Sequence, residues 1–281
     1  MPASITHELI AREALERLSP SAKEIIYNAP AYYYLGAHGP DLFFFYRPVF
    51  GREFNLGRLL HRSRIFDWFT ALLTTLPRHT GSDFEQCLAY ALGFCTHLAA
   101  DVAFHPFVYN FLAEIDAPKL THQEIENDWD VYFLKKHTGQ SPQRYRFPFD
   151  MREIADAGVL YRYVSEAAVH IGRDLSPSAF RRMCKLFRVY LDHSHTRGAR
   201  VLSLFGMAEL YPREEPDPAY LRGKKFAELT GGKGANADEL FSYAVAESAE
   251  RIDAFLNAFN TDMVLPEELF SRHMLTGKHT E

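Results

Sequence analysis

One stretch, Leu92 to Glu126, constrains this chain more than any other: LGFCTHLAADVAFHPFVYNFLAEIDAPKLTHQEIE. His97, Asp101 and His105 follow one another at i, i+4 spacing, and His122 and Glu126 form a further i, i+4 pair. If Ala89 to Phe104 is helical, each such step turns about 40°, so the three side chains share one stripe of the helix. The rise from His97 to His105 is about 12 Å, too far for one ion with ligand bonds of roughly 2 Å to take all three unless the helix bends at His105-Pro106. A central carboxylate at Asp101 is therefore best placed to bridge two ions. The short connector containing Asp116-Ala117-Pro118 lets the second pair turn back against the first, and two ligand pairs on facing helices predict a metal site in the core of a helical bundle. Any one of these histidines, taken alone, is more often a core residue with ordinary partners. Five ligand-type residues in register within about thirty positions outweigh that reading.

HLAADVAFHP followed by HQEIE resembles the His, Asp, His and His, Glu signature of the zinc-dependent phospholipase C family. That group includes the bacterial phosphatidylcholine-preferring phospholipases C and, more distantly, the fungal single-strand nucleases with their trinuclear zinc site. Three residues separate Asp101 from His105, where the secreted enzymes have five. Gly39-Pro40-Asp41 is similar to the family's Pro-Asp element, whose aspartate is both a zinc ligand and the candidate general base; from three residues alone, Asp41 reads as a turn aspartate accepting backbone N–H bonds. His61 matches the family's histidine between that element and the central helix, in preference to His79. His7 matches an N-terminal histidine that binds a zinc together with the terminal amine of a tryptophan; here the chain begins Met1-Pro2 and the tryptophan is absent. By spacing alone His7 is a first-turn histidine at the surface, with Thr6 as N-cap. The resemblance covers residues 5–135. It implies one zinc on Asp41, His61, His97 and Asp101, a second on His105, His122 and Glu126 with Asp101 bridging the two, and a third ion at His7 with an incomplete ligand set. His38 is a further potential ligand for which the resemblance does not call.

The rest of the chain reads as helix and loop with few convincing strands, so an all-α, single-domain multi-helix bundle over residues 1–281 is predicted, its metal site in the core. Apolar residues recur at helical spacing over 56–76, 153–173, 177–193 and 238–259. The Gly-, Pro- and charge-rich segment 196–236 reads as a long surface loop, and 266–281 as a frayed tail. Gly231-Gly232-Lys233-Gly234 lacks the spacing of a phosphate loop. Arg58, Arg62 and Arg64 read as a solvated helix face, with phosphate binding as the other option. Cys87, Cys95 and Cys184 cannot all pair and read as buried thiols. No apolar h-region opens the chain and no window approaches a transmembrane span, so the cytoplasm is the expected location, with secretion by another route left open. A net charge of -5 gives no general pull toward nucleic acid, and no stable nucleic-acid binding is expected.

The expected function is zinc-dependent hydrolysis of a phosphodiester, phospholipid first and nucleic acid or a small phosphoester second. Two or three zinc ions would serve it, with Asp41 orienting or deprotonating the attacking water. A catalytically silent, metal-stabilised helical protein that binds a partner through its aromatic 30–54 segment is the rival; an open coordination position would favour the enzyme and a closed four-ligand site the scaffold. A ferritin-like iron carboxylate protein is disfavoured, because paired Glu-x-x-His motifs are missing.

Overall fold

The computed structural model describes residues 4–46, 55–114, 121–193 and 224–279. The chain runs through α1 (Ser4–Arg17), α2 (Pro20–Asn28), α3 (Pro30–Gly36), a 3-10 helix (Gly39–Phe45), α4 (Leu56–Arg62), α5 (Ile65–Thr75) and α6 (Gly81–Glu114). It continues with α7 (His122–Thr138), α8 (Met151–Ala157), α9 (Val159–His170), α10 (Pro177–His193), α11 (Lys224–Leu229), α12 (Ala237–Asn260) and α13 (Glu267–Phe270). The fold is all-α: no strand occurs among the described residues, only an isolated bridge between Arg272 and His279.

Helix α6 is the axis on which the others pack. Its residues are buried without a break from Cys87 to His105, and again at Phe107 and Val108, as those of a helix without a polar face must be. Helices α3 and α12 lie along it. The α3 crossing is so close that a Cβ at Gly93 would fall 1.9 Å from the Tyr33 carbonyl oxygen, and one at Gly36 2.2 Å from that of Tyr90. Only glycine permits this backbone approach. Two apolar clusters result. One gathers α2, α3, α5, α9, α10 and the first half of α6; the other gathers α7, α11 and the second half, and α1 and α12 contribute to both. The segment from His97 to His105 lies along the seam between them.

Several expectations need correction. At His105-Pro106, where a bend was the condition for one ion to take all three ligands, α6 continues as helix through Pro106 to Glu114. Pro106 has no N–H to give the Val102 carbonyl, and the Lys233 ammonium takes that carbonyl instead, at 2.5 Å. The membrane expectation is too broad: α6 contains a window with mean hydropathy 1.4 that passes for a span by length and composition, yet all of it is buried in the protein. Of the predicted loop 196–236, residues 196–223 lie outside the described residues, while α11 is helical with Phe226 and Leu229 buried. The 266–281 segment is docked over its described part, since Phe270 and Met274 have no exposed surface. The single helices expected over 56–76 and 153–173 are each two, divided at Arg64 (φ 60°) and at Gly158 (φ 71°).

Candidate metal centre

Helix α6 presents His97, Asp101 and His105 on one stripe, all buried, as the spacing requires. Around Asp101 the rest of the chain supplies partners. The Asp101 Oδ2 atom lies 3.3 Å from His61 Nε2 and 3.3 Å from His97 Nε2, while Asp41 Oδ1 lies 3.2 Å from the same His61 nitrogen. On its other side, Asp101 Oδ1 lies 3.3 Å from His7 Nε2. Donor atoms at the corners of a tetrahedron with bonds of about 2.0 Å stand about 3.3 Å apart, so these separations are those of a shared cation. The second group is tighter: Glu126 Oε1 is 2.6 Å from His122 Nε2 and 3.0 Å from His105 Nε2. Three sets therefore converge, each with its ligand atoms within 4.8 Å of one another: His7, His97 and Asp101; Asp41, His61 and His97; His105, His122 and Glu126.

The second nitrogen of each main ring decides which atom faces inward. His61 Nδ1 bonds the Gly57 carbonyl (2.7 Å), His97 Nδ1 the Ala37 carbonyl (3.0 Å) and His105 Nδ1 the Met274 carbonyl (3.0 Å). A carbonyl only accepts, so each Nδ1 carries the proton and each Nε2 presents its lone pair, the arrangement that outer partners impose on metal-ligating histidines. His61 Nε2, His97 Nε2, Asp41 Oδ1, Asp101 Oδ2 and Glu126 Oε2 are buried without a hydrogen-bond partner. Buried polar atoms of this kind are costly unless something satisfies them, and a cation fits this donor set.

Electrostatics agree. Burial alone would push the His61 ring down, but the carboxylates of Asp101 and Asp41 outweigh it and hold it up to about 10. Burial would raise Asp101, yet His105, His97, His61 and His7 hold it well below the usual carboxylate range. Glu126 is likewise held low, against burial, by His122 and His105. A proton and a metal ion are alternative answers to the same carboxylates.

The flanking elements explain the placement. The amides of Ile5 and Thr6, in the first turn of α1, donate to Asp130 of α7 at 3.1 and 2.7 Å. Thr6 is therefore capped by a carboxylate from another helix and does not itself cap α1. This contact sets His7 inward, buried and stacked on His97 with centroids 4.2 Å apart, contrary to the surface position that spacing suggests. Gly39 lies against His97, where a Cβ would come within 2.8 Å of the ring. Asp41 sits in the 3-10 helix that begins there. Helix α7 starts with a capping box between Thr121 and Glu124, which fixes His122 and Glu126 one turn apart.

All eight expected residues meet at this centre. Their partition differs from expectation: Asp101 spans the His7 side and the His61–His97 side, and reaches His105 only at Nδ1, 3.5 Å away. His38 joins no group; it is buried among Phe147, Phe149 and Phe187, edge to face. Sequence reasoning did not identify Asp130, Lys233 or the Met274 carbonyl. Lys233 stands in a glycine-rich segment before α12 whose spacing rules out a phosphate loop and gives no hint of this contact.

The centre is not sealed. A cavity of about 340 Å³ opens onto His61, His105 and His122, and a void of about 20 Å³, room for one water or ion, touches His7, Asp101, His105 and Glu126. No curated protein and no solved structure matches the chain. The family model described as zinc dependent phospholipase C does match it, over residues 6–168, a span that is more than half of the chain and contains every residue of the centre. The chain belongs to the zinc-dependent phospholipase C family.

Proposed function

We propose that this protein is a zinc-dependent phosphodiesterase of the phospholipase C type, with a phospholipid as its first substrate class. One observation carries the reading: three histidines whose Nδ1 atoms are taken by backbone carbonyls aim unpartnered or carboxylate-paired Nε2 atoms into one buried centre, and that centre opens to a cavity. Asp41, His61, His97 and Asp101 would hold one ion and His105, His122 and Glu126 another. Asp101 Oδ1 and His7 offer part of a third set. Bound zinc supplies a Lewis acid for the phosphoryl oxygen and for the leaving alcohol oxygen.

The side chains do the rest. Asp41, with Oδ1 unpartnered beside His61, takes the proton of the attacking water as its oxygen bonds to phosphorus. Asp41 does not itself line the cavity, so that proton leaves from the inner side of the centre. The bond from phosphorus to the alcohol oxygen breaks, the leaving oxygen takes a proton from water in the cavity, and the products are a phosphomonoester and an alcohol, diacylglycerol in the lipid case. Helices α1, α4, α6 and α7 and the 3-10 helix hold the ligands without reliance on loops. The open cavity supports an enzyme over a closed structural site.

The test is hydrolysis of bis(4-nitrophenyl) phosphate and of a dihexanoyl phospholipid by purified protein, before and after chelation. Turnover that disappears with chelator and returns with zinc is expected. No turnover of either compound after zinc is restored would overturn the reading.

A further inference from the structure

The three arginines near α4 separate into two kinds. Arg64 is hydrogen-bonded to Asp67. Arg58 and Arg62 make no ion pair among the described residues, and both line the 340 Å³ cavity. They lie at i, i+4 on α4, about 40° apart around it, so they share one wall. The same helix sends His61, between them in sequence, to the cavity floor, where His105 and His122 also stand. No carboxylate lines the cavity among the described residues.

This charge arrangement exceeds what a simple diester needs. A phosphodiester carries one negative charge, which the zinc ions at the floor would meet. Two guanidiniums on the wall then face whatever group the alcohol side brings. They repel a cation and can grip an anion through their forked donors. The volume, at the small end of the roughly 300–1,000 Å³ of ligand pockets, suits a small polar group.

We propose that Arg58 and Arg62 form an anion subsite that selects phosphodiesters carrying a second negative group near the scissile phosphate, and that disfavours a quaternary ammonium headgroup. The inference rests on the phosphodiesterase reading and deepens it.

The experiment uses dihexanoyl glycerophospholipids, kept monomeric, whose headgroups are glycerol 3-phosphate, glycerol or choline, with their deacylated counterparts beside them. The zinc-loaded protein should show kcat/KM about tenfold higher for the anionic headgroup than for choline, and the ratio should fall as salt rises, because both arginines are exposed. The double variant Arg58→Glu, Arg62→Glu should invert the order, a gain on choline that a misfolded protein cannot produce. If the preference persists in the deacylated series, a water-soluble diester is the source of the chemistry; if it needs the acyl chains, a lipid is. Hydrolysis of all three headgroups at equal kcat/KM would overturn the subsite and leave the phosphodiesterase reading standing. An equal loss on all three in the double variant would also overturn it, placing the arginines on the scissile phosphate. No hydrolysis of any headgroup or of bis(4-nitrophenyl) phosphate would overturn the phosphodiesterase reading itself.

Discussion

Asp41, His61, His97 and Asp101 are almost wholly buried, with only His61 reaching the cavity, whereas His122 keeps 24% of its side chain in solvent and shares the cavity wall with Tyr109. The enclosed set is held from within the first hundred residues, by the Gly57 and Ala37 carbonyls and by ring stacking on His7. The open set depends on the far end of the chain: Met274 orients His105, and Lys233 takes the Val102 carbonyl that Pro106 leaves free. An enclosed set suits retention of an ion; an open one suits exchange of water and substrate at the ion. The comparison teaches that one helix stripe can serve two different ligand environments, depending on what packs against each end.

Replacing Asp101 by Asn should break the enclosed set most severely. It removes half the charge that His7, His61 and His97 share, so kcat/KM for the chromogenic diester should fall by about 10³ or more. Zinc measured by mass spectrometry should drop while the ion of the His105–His122–Glu126 set remains. Normal turnover in Asp101→Asn would end the bridging role. Glu126→Gln addresses the other set, where zinc loss confined to one ion and about a 10²-fold fall in activity are expected. Stepwise chelation of the unmodified protein should sharpen the contrast, since the more exposed set is expected to release its ion first; simultaneous release would mean that exposure does not separate the two.

A shorter chain ending at Ser271 probes the dependence on the C-terminal segment. Loss of the Met274 carbonyl should weaken the open set's zinc affinity about 10- to 100-fold and leave that of the enclosed set near its original value, read by competition with a chelating dye. The smallest effect concerns Lys233. Burial, then the charge of Arg272, pushes its ammonium down to about 8. An unfolded lysine titrates at about 10.4, so between pH of about 8 and 10 the unfolded chain binds more protons and stability rises with pH. Denaturant midpoints across that window should rise more steeply for the unmodified protein than for Lys233→Met. Parallel curves would show that Lys233 keeps an ordinary lysine pKa.

The legible part of the centre was local. His97, Asp101 and His105 announce a shared stripe because α-helical geometry is fixed, and the i, i+4 spacing of His122 and Glu126 announces the second pair. Asp41 and His61 were placed by family resemblance, since a turn aspartate and a helical histidine have no periodicity to declare them. His7 shows the limit of local reading: its inward position is set by Asp130, more than a hundred residues away. The continuation of α6 through Pro106 and the docking of residues after Pro266 share one cause. Both depend on contacts between α6 and segments beyond residue 230, in which polar groups answer a backbone defect and a histidine nitrogen. Hydropathy cannot by itself classify α6, because a helix buried by protein on all sides has the composition of one buried by lipid.

Anomalous diffraction at the zinc edge, from crystals of the protein grown with zinc, tests the central claim most directly. One peak is expected among Asp41, His61, His97 and Asp101 and another among His105, His122 and Glu126, each at bonding distance of about 2.0–2.2 Å from the named nitrogen and oxygen atoms. Diffraction from such crystals with no peak at either set would contradict it.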